Sequence, residues 1–425
     1  MPLSARTRER LRQSAIAPLV VSLLVLAALI AATAALADAL SPGASPPQPI
    51  SLQALATQLT REQAPDAVSG RFDLVNHLLP SAQQDAGGDQ PSSPLQAGGS
   101  GRFWFAAPDK LRIELQGSGG DIELVRDGDV VWFYDGSGHT ADRIQLPADS
   151  QHAHSDQAAH GAANQPPSTQ QIADAIARLE QHWNVTGPTP TVQGNRGAYA
   201  LAFAPRQTGS LLASLAGAVD AATGLPLRFE VDAVGFQGPV LSVSVTHLTV
   251  GPTDPSIFAF VPPPGATIST TKLQNLRSPK SATASASHGG RRHARDAPHA
   301  TTLAAAQQVT KFALDAPATA GGQPLDGIEA SADTALLRYG DGPGAILVLE
   351  RATHQPTASG AAKPAGRDAG AGLPTVGLSD GSQAQELSTP LGTVLNWRHA
   401  GVAFFVAASR PAADVVAVAQ SLATA

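Results

Sequence analysis

Apolar and polar residues alternate along several segments in the first half of the chain. Leu111–Leu115 and Ile122–Arg126 both alternate in this way, which is typical of strands with one apolar and one polar face. Gly117–Gly120, Asp127-Gly128 and Asp135–Gly138 supply hairpin turns between such segments. The pattern predicts an antiparallel meander whose two faces differ in polarity.

Helical spacing occurs in three short places. Leu52, Leu55 and Leu59 predict an amphipathic helix, and Gln170–Trp183 predicts a second one. Near the end of the chain, Ser409-Arg-Pro411 is typical of a helix start. The apolar stripe of that last helix consists of Val415, Val418, Ala419 and Leu422.

The N-terminal segment is typical of membrane insertion. Four arginines, Arg6, Arg8, Arg10 and Arg12, precede the uncharged run Ile16–Ala37. A helix of that length spans about 30 Å, which is enough to cross a bilayer. The arginines favour a cytoplasmic N-terminus, so we expect a single-pass anchor with the bulk of the chain extracytoplasmic. The alternative is a signal peptide cleaved after Ala35-Leu36-Ala37, which would leave a secreted protein.

The composition divides the chain into five segments. They are a basic stub with the spanning or signal helix at 1–37, a Pro-rich stem at 38–50, a β-rich domain at 51–271, a basic linker at 272–302 and a small α+β domain at 303–425 with a low-complexity insertion at 354–372. We interpret the linker as a solvated, disordered tether. The alternative is a basic arm that touches anionic lipid or polymer.

Composition and charge exclude several classes of protein. The 425 residues contain no cysteine, which excludes a disulfide framework, a thiolate zinc site and an acylated N-terminal cysteine. A net charge of −6 argues against a nucleic-acid binder with a strong basic field.

Two motifs could carry chemistry, and we interpret both as structural. Gly377-Leu-Ser379-Asp-Gly381 matches the G-x-S-x-G pattern of hydrolases, but its Gly- and Pro-rich setting favours a plain turn, with a hydrolase using Ser379 as the alternative. His152, His154, Asp156 and His160 could bind zinc or copper, yet their Gln-, Ala- and Gly-rich context favours a solvated loop. We therefore expect no enzyme, no cofactor and no metal.

Several segments resemble the LolA-like family, which comprises periplasmic lipoprotein carriers and the related RseB/MucB regulators of envelope-stress sigma factors. The resemblance lies in Phe103–Glu114, Leu124–Gly128 and Val131–Asp135, and it continues in Asp220–Arg228 and Phe258–Gly265. It covers about residues 51–269 and is greatest to membrane-anchored, actinobacterial-type versions.

We expect an α+β chain: an N-terminal transmembrane helix, an open antiparallel β half-barrel with covering helices, and a small α+β domain. The resemblance implies the half-barrel, whereas the tether and the C-terminal domain are departures from a soluble carrier of this family. The half-barrel of this family holds acyl chains in an apolar groove. The candidate groove residues here are Phe103, Phe105, Leu111, Ile113, Leu115, Leu124, Val131 and Phe133. The alternative for each of them is an ordinary core position.

The expected function is a non-enzymatic, membrane-tethered protein that binds lipid or lipoprotein acyl chains, in lipoprotein sorting or envelope homeostasis. The alternative is an envelope-stress sensor or regulator of an anti-sigma factor, in which the C-terminal domain engages a membrane protein. No nucleic acid is expected in either case.

Overall fold

The structure is a computed structural model that describes residues 44–61, 65–78, 93–146, 168–272, 301–353 and 373–422. The predicted spanning segment Ile16–Ala37, the cluster His152–His160 and the insertion 354–372 lie outside the described residues, as does most of the predicted basic linker. None of the helices in the described part of the chain is both long enough and apolar enough to cross a bilayer.

The described residues form two compact units. The first unit contains residues up to 272 except 209–211, and the second contains those three residues and everything described from 301 onward.

The first unit is one open sheet of twelve strands in the order β12-β6-β5-β4-β3-β2-β1-β11-β10-β9-β8-β7. Its strands are β1 (Ala67–Asn76), β2 (Gly99–Ala106), β3 (Lys110–Gly117), β4 (Gly120–Asp127), β5 (Val130–Asp135), β6 (Thr140–Gln145), β7 (Trp183–Gln193), β8 (Arg196–Pro205), β9 (Leu212–Asp220), β10 (Pro226–Ala233), β11 (Leu241–Val250) and β12 (Thr267–Lys272). Its helices are α1 (Leu52–Arg61), α2 (Pro94–Ala97) and α3 (Thr169–His182).

The predicted meander is confirmed from β2 to β6, and so are the helices predicted around Leu52–Leu59 and over Gln170–Trp183. Ser168 and Gln171 form a reciprocal capping box that fixes the start of α3. Helices α1 and α3 pack on each other and on β7. Because β7 is at the sheet edge, it tolerates Pro188 and Pro190, which would interrupt a central strand.

Two expectations about the closing part of this sheet are wrong. The sheet is not wholly antiparallel, because β12 runs parallel to β6. The segment Phe258–Gly265 resembles the closing strand of the LolA-like family, but it is not a strand here, because Pro255–Phe258 forms a 3-10 turn. Its rings pack on the sheet instead: Phe258 is buried, and Phe260 lies 5.4 Å from the ring centre of Trp132.

The second unit is an antiparallel sheet in the order β13-β14-β15-β16-β20-β19-β18-β17. Its elements are α4 (Leu303–Val309), β13 (Thr319–Ala320), β14 (Gln323–Ala330), β15 (Thr334–Tyr339), β16 (Ile346–Ala352), β17 (Thr375–Gly377), β18 (Gln383–Thr389), β19 (Gly392–His399), β20 (Val402–Ala408) and α5 (Ala412–Leu422).

The helices of the second unit cover one face of its sheet. Val415 and Val418 of α5 and Ala306 of α4 belong to the same buried cluster as the inward residues of the central strands. Trp397 stacks on Phe404 within that cluster, with ring centres 4.9 Å apart. All four predicted stripe residues of the last helix are buried.

Candidate functional site

All eight candidate groove residues lie on one face of the first sheet. Phe103 pairs with Ile113, Ile113 with Leu124, and Leu124 with Phe133. Since alternate residues of a strand share a face, the other candidates fall on the same side. We call this side the apolar face: it carries Phe103, Phe105, Leu111, Ile113, Leu115, Leu124, Val131 and Phe133.

The structure divides these eight residues into a buried group and a partly exposed group. Phe103, Ile113 and Leu115 are buried in the core of the unit. Phe105, Leu111, Leu124 and Phe133 are partly exposed and pack against that core, and Val131 is partly exposed beside them. We call the five partly exposed residues the open flank.

A cleft lies on the same face next to the open flank. Phe103 of β2 and Leu227 of β10 both line it, although β1 and β11 separate their strands. Strands are about 4.8 Å apart in a sheet, so the cleft extends over about 14 Å of the apolar face. Phe103 and Leu227 also belong to one buried cluster, so the apolar face carries a continuous core at the cleft.

The cleft is narrow because the side chains of the sheet fill most of it. Its cavity volume is about 30 Å³, which corresponds to about two water molecules. The apolar lining includes Val68, Phe72, Phe103, Leu225, Leu227, Phe229, Val243, Val245 and Leu248.

Most of these lining residues belong to β1, β10 and β11, whereas the groove residues predicted from the sequence belong to β2, β3, β4 and β5. The signal was present, since Leu227-Arg-Phe229 and Val243-Ser-Val245 alternate with period two. No local pattern indicated that β10 and β11 line the same cleft as β2.

Two glycines let aromatic rings lie close to the backbone on the apolar face. A Cβ on Gly70 would be 2.7 Å from the ring of Phe103, and a Cβ on Gly101 would be 2.5 Å from the ring of Phe72. The rings of Phe72 and Phe103 are 6.3 Å apart, centre to centre. Side chains at these two positions would lift both rings and obstruct the cleft.

Arg126 brings a positive charge to the end of the open flank. It lies on the apolar face, paired in register with Leu111 on one side and Val131 on the other. Its Nε donates to the carbonyl oxygen of Gly128 at 3.0 Å. No ion pair links it to another residue in the described part of the chain.

The opposite face of the same strands is polar and internally paired. Arg112 contacts Glu114 at 2.9 Å and Glu123 at 2.7 Å, and Arg102 contacts Glu114 at 2.6 Å. Burial raises the pKa of Glu123, and the Arg112 guanidinium opposes that increase. Arg112 also donates to the carbonyl oxygen of Ile257 at 2.7 Å, so the 3-10 turn covers this polar face and leaves the apolar one free.

The Ser379 motif is a turn, as interpreted from the sequence. Its Oγ is exposed and donates to the carbonyl oxygen of Gln420 at 3.3 Å. Asp380 accepts from the Oγ of Ser382 at 2.6 Å and from its backbone N–H at 2.8 Å. The hydrogen bond from that hydroxyl is the main reason why the pKa of Asp380 is lowered. His399 lies 2.9 Å from Asp380, but the structure shows no imidazole hydrogen-bonded to Ser379 among its described contacts.

Within the described residues, no group of three or more His, Asp or Glu side chains is arranged to hold a metal ion. The histidine cluster considered from the sequence lies outside this part of the chain.

Comparison with known proteins gives structural neighbours only. The sequence matches no family model and no curated protein. MucB in complex with MucA(peri) is 15% identical with a TM-score of 0.36, over 87% of this chain and 95% of that chain. The MucA/MucB complex of Pseudomonas aeruginosa is 17% identical with a TM-score of 0.33, over 87% and 94%. A LolA superfamily protein of Nitrosomonas europaea is 10% identical with a TM-score of 0.18, over 50% and 98%.

The structural neighbours are MucB and LolA-superfamily proteins. These are the two groups that the sequence resemblance names. Because the TM-scores are low, any function has to be argued from this chain's own residues.

Proposed function

We propose that the first unit binds the acyl chain of a lipid or lipoprotein on its apolar face, without enzymatic chemistry. The observation that supports this is the open flank: five apolar side chains are partly exposed on one face of the sheet, beside a cleft. Soluble proteins rarely leave such a surface uncovered unless it binds something.

The expected driving force is the removal of alkyl groups from water. Each buried CH₂ contributes about 0.8 kcal/mol before ordering costs are subtracted. The cleft is too narrow for a whole acyl chain with its side chains in place, so the chain would lie along the open flank with its end at the cleft. Arg126 is placed where the acidic head of such a ligand would lie.

The sequence pattern supports an extracytoplasmic location for this binding. The proposed arrangement has the arginine-rich N-terminus in the cytoplasm, Ile16–Ala37 as the tether and the first unit outside. In that arrangement the acyl chain belongs to a partner, because the chain has no cysteine to carry one.

A second candidate function is regulation of an anti-sigma factor in an envelope-stress response. The observation that favours it is an apolar face on the second unit, where Leu336, Leu347 and Phe405 are exposed among the described residues, because a regulator of this kind needs a surface for a protein partner.

Two adjacent valines of β5 provide a matched test of the acyl-chain proposal. Val131 lies on the apolar face, and Val130 lies on the opposite face, where its register partner is Asp127. Val131→Asp is expected to weaken palmitate binding to the purified full chain by about tenfold or more, because a carboxylate would lie against the alkyl chain. Val130→Asp should leave binding unchanged.

Binding of radiolabelled palmitate by equilibrium dialysis measures both variants, and circular dichroism checks that each is folded. Equal effects of the two substitutions, or no palmitate binding by the wild-type chain, would contradict the proposal.

A further inference from the structure

The sheet of the second unit has a face that its helices do not cover. Leu336, Leu349 and Phe405 lie side by side across β15, β16 and β20. The next row is formed by Leu347, Ala407, Val394 and Leu387. We call these seven residues the outer patch.

The outer patch is exposed although it is apolar. Leu336 is 37% exposed, Leu347 42% and Phe405 41%. The buried cluster that includes α4 and α5 lies on the other side of these strands, where Leu337, Val348 and Phe404 point inward. A sheet in a folded domain normally buries an apolar face against a further layer, and this face lacks one among the described residues.

Two arginines border the outer patch on one side. Arg351 of β16 and Arg398 of β19 are both opposite Ala403 of β20 in register, so their backbones are about 10 Å apart. Both side chains are exposed, and neither forms an ion pair within the described part of the chain. Arg338 differs, since it pairs with Asp326 at 2.5 Å.

The charges decide between possible occupants. The register of the described strands places Glu329 of β14 on this face, and Arg338 of the same face already pairs with Asp326. Among the described strands, a second copy of the face would therefore offer Glu329 alone to both Arg351 and Arg398. The three exposed side chains lie on adjacent, paired strands, which offer a helix a continuous surface.

We propose that the outer patch binds an amphipathic helix of a protein partner whose apolar stripe is flanked by Asp or Glu on one side. The outer patch crosses five adjacent strands, or about 19 Å, which a helix lying across the strands covers with about 13 residues. Leucine-type residues of the partner at i, i+3, i+4 and i+7 cover the two apolar rows. The flanking carboxylates of the partner reach Arg351 and Arg398. This inference does not depend on acyl-chain binding by the first unit.

The test uses the full chain and two labelled helical peptides in fluorescence anisotropy. Both peptides carry leucines at the stated spacing, one with glutamates along a flank and the other with lysines at the same positions. The glutamate peptide is expected to bind at least about tenfold more tightly, with an affinity that falls as salt is added. Equal or tighter binding of the lysine peptide, or no binding of either, would overturn the proposal.

Two variants locate the binding on the outer patch. Phe405→Ser should weaken binding of the glutamate peptide about tenfold by removing apolar contact. The double variant Arg351→Ala with Arg398→Ala leaves the apolar rows intact and should remove the preference for glutamate over lysine. Val261→Ser, at an 81% exposed valine of the first unit, is the control and should change nothing.

A membrane surface is the competing occupant. Vesicles of phosphatidylglycerol should not displace the bound glutamate peptide. If the vesicles displace the peptide from the wild-type chain but not from Phe405→Ser, the patch binds lipid and the proposal is overturned. Unchanged affinity of the glutamate peptide for Phe405→Ser would also overturn it.

Discussion

At the scale of single residues, Asp220 organises the turn that leads into the cleft. It is 1% exposed, and it accepts hydrogen bonds from the backbone N–H and the hydroxyl of Thr223, both at 2.8 Å. Arg196 of β8 binds both oxygens, with its Nε at 2.7 Å and its Nη2 at 3.0 Å. This hydrogen bonding raises the pKa of Arg196. The turn ends at Leu225, which lines the cleft. The Asp220 carboxylate therefore connects the ion pair with Arg196 to a turn that borders the candidate site.

Asp220→Ala is expected to destabilise the first unit by about 3 kcal/mol, because it leaves the Arg196 guanidinium and two turn donors without their buried acceptor. Urea unfolding of the full chain measures the change. Asp127→Ala is the control, since Asp127 pairs with Lys110 at the surface, where side chains are 35% and 54% exposed. It should cost less than about 1 kcal/mol. Similar losses of unfolding free energy in both variants would contradict the expectation that the buried Arg196–Asp220 pair contributes more than the exposed Lys110–Asp127 pair.

At the scale of elements, β16 carries a carboxyl into the core of the second unit. Glu350 is on the same face as Ile346 and Val348, and all three are fully buried. One oxygen accepts from the backbone N–H of Asp315 at 3.1 Å, and the other has no hydrogen-bond partner among the described residues. Burial raises the pKa of Glu350 to about 8 and that of Asp315 to about 6. Burial likewise raises the pKa of Tyr339, whose buried hydroxyl also has no partner among the described residues.

The second unit is therefore expected to lose stability as pH rises from about 5 to about 8. In this window the folded state keeps the Glu350 proton and the unfolded state, with its ordinary pKa near 4.5, has lost it. The loss amounts to as much as about 1.4 kcal/mol per pH unit. Above about pH 8 both states are ionised and this dependence ends.

Calorimetry of the full chain at several pH values checks this expectation. Glu350→Gln should flatten the pH dependence of the second unit between pH 6 and 8, whereas Glu329→Gln, at an exposed position on β14, should not. Below about pH 6, Asp315 adds a dependence of the same sign. Parallel pH profiles for wild type and Glu350→Gln would contradict a buried, protonated Glu350.

At the scale of the whole molecule, each sheet has one apolar face that its own described elements do not fully cover. In the first unit this face borders a cleft, which suits a flexible alkyl chain. In the second it is bordered by two arginines, which suits an acidic helix. The two proposed occupants differ because only the first face borders a described cleft and only the second has two exposed arginines along one side.

A ligand that binds only the folded first unit stabilises that unit by mass action. Palmitate is expected to raise the midpoint of its thermal unfolding more than laurate, and laurate more than octanoate, because each added CH₂ buries further apolar surface. The three acids are compared at equal concentration by calorimetry of the full chain. Val131→Asp should reduce all three shifts. Equal shifts for the three acids would indicate a non-specific effect of the carboxylate.

The sequence alone identified features whose causes are local. Alternation with period two located β2 to β6 and showed that Leu111, Ile113 and Leu115 share a face. Helical spacing and capping residues located α1, α3 and α5. These features depend on residues within one strand, helix or turn, so a short window of the sequence is enough to predict them.

Only the tertiary structure decided which strands meet. The neighbours β1 and β11 are more than 160 residues apart in sequence, as their pair Val68 and Val250 shows. No local sequence pattern indicates that these two strands pair. Their pairing puts Leu227 and Phe103 in one buried cluster and makes the cleft that both residues line. Parallel β12, the packing of Phe258 on the polar face and the exposure of Phe405 follow from the same kind of contact. Burial, curvature and charge pairing are properties of surfaces assembled from distant segments, and they therefore appear only when the whole chain is folded.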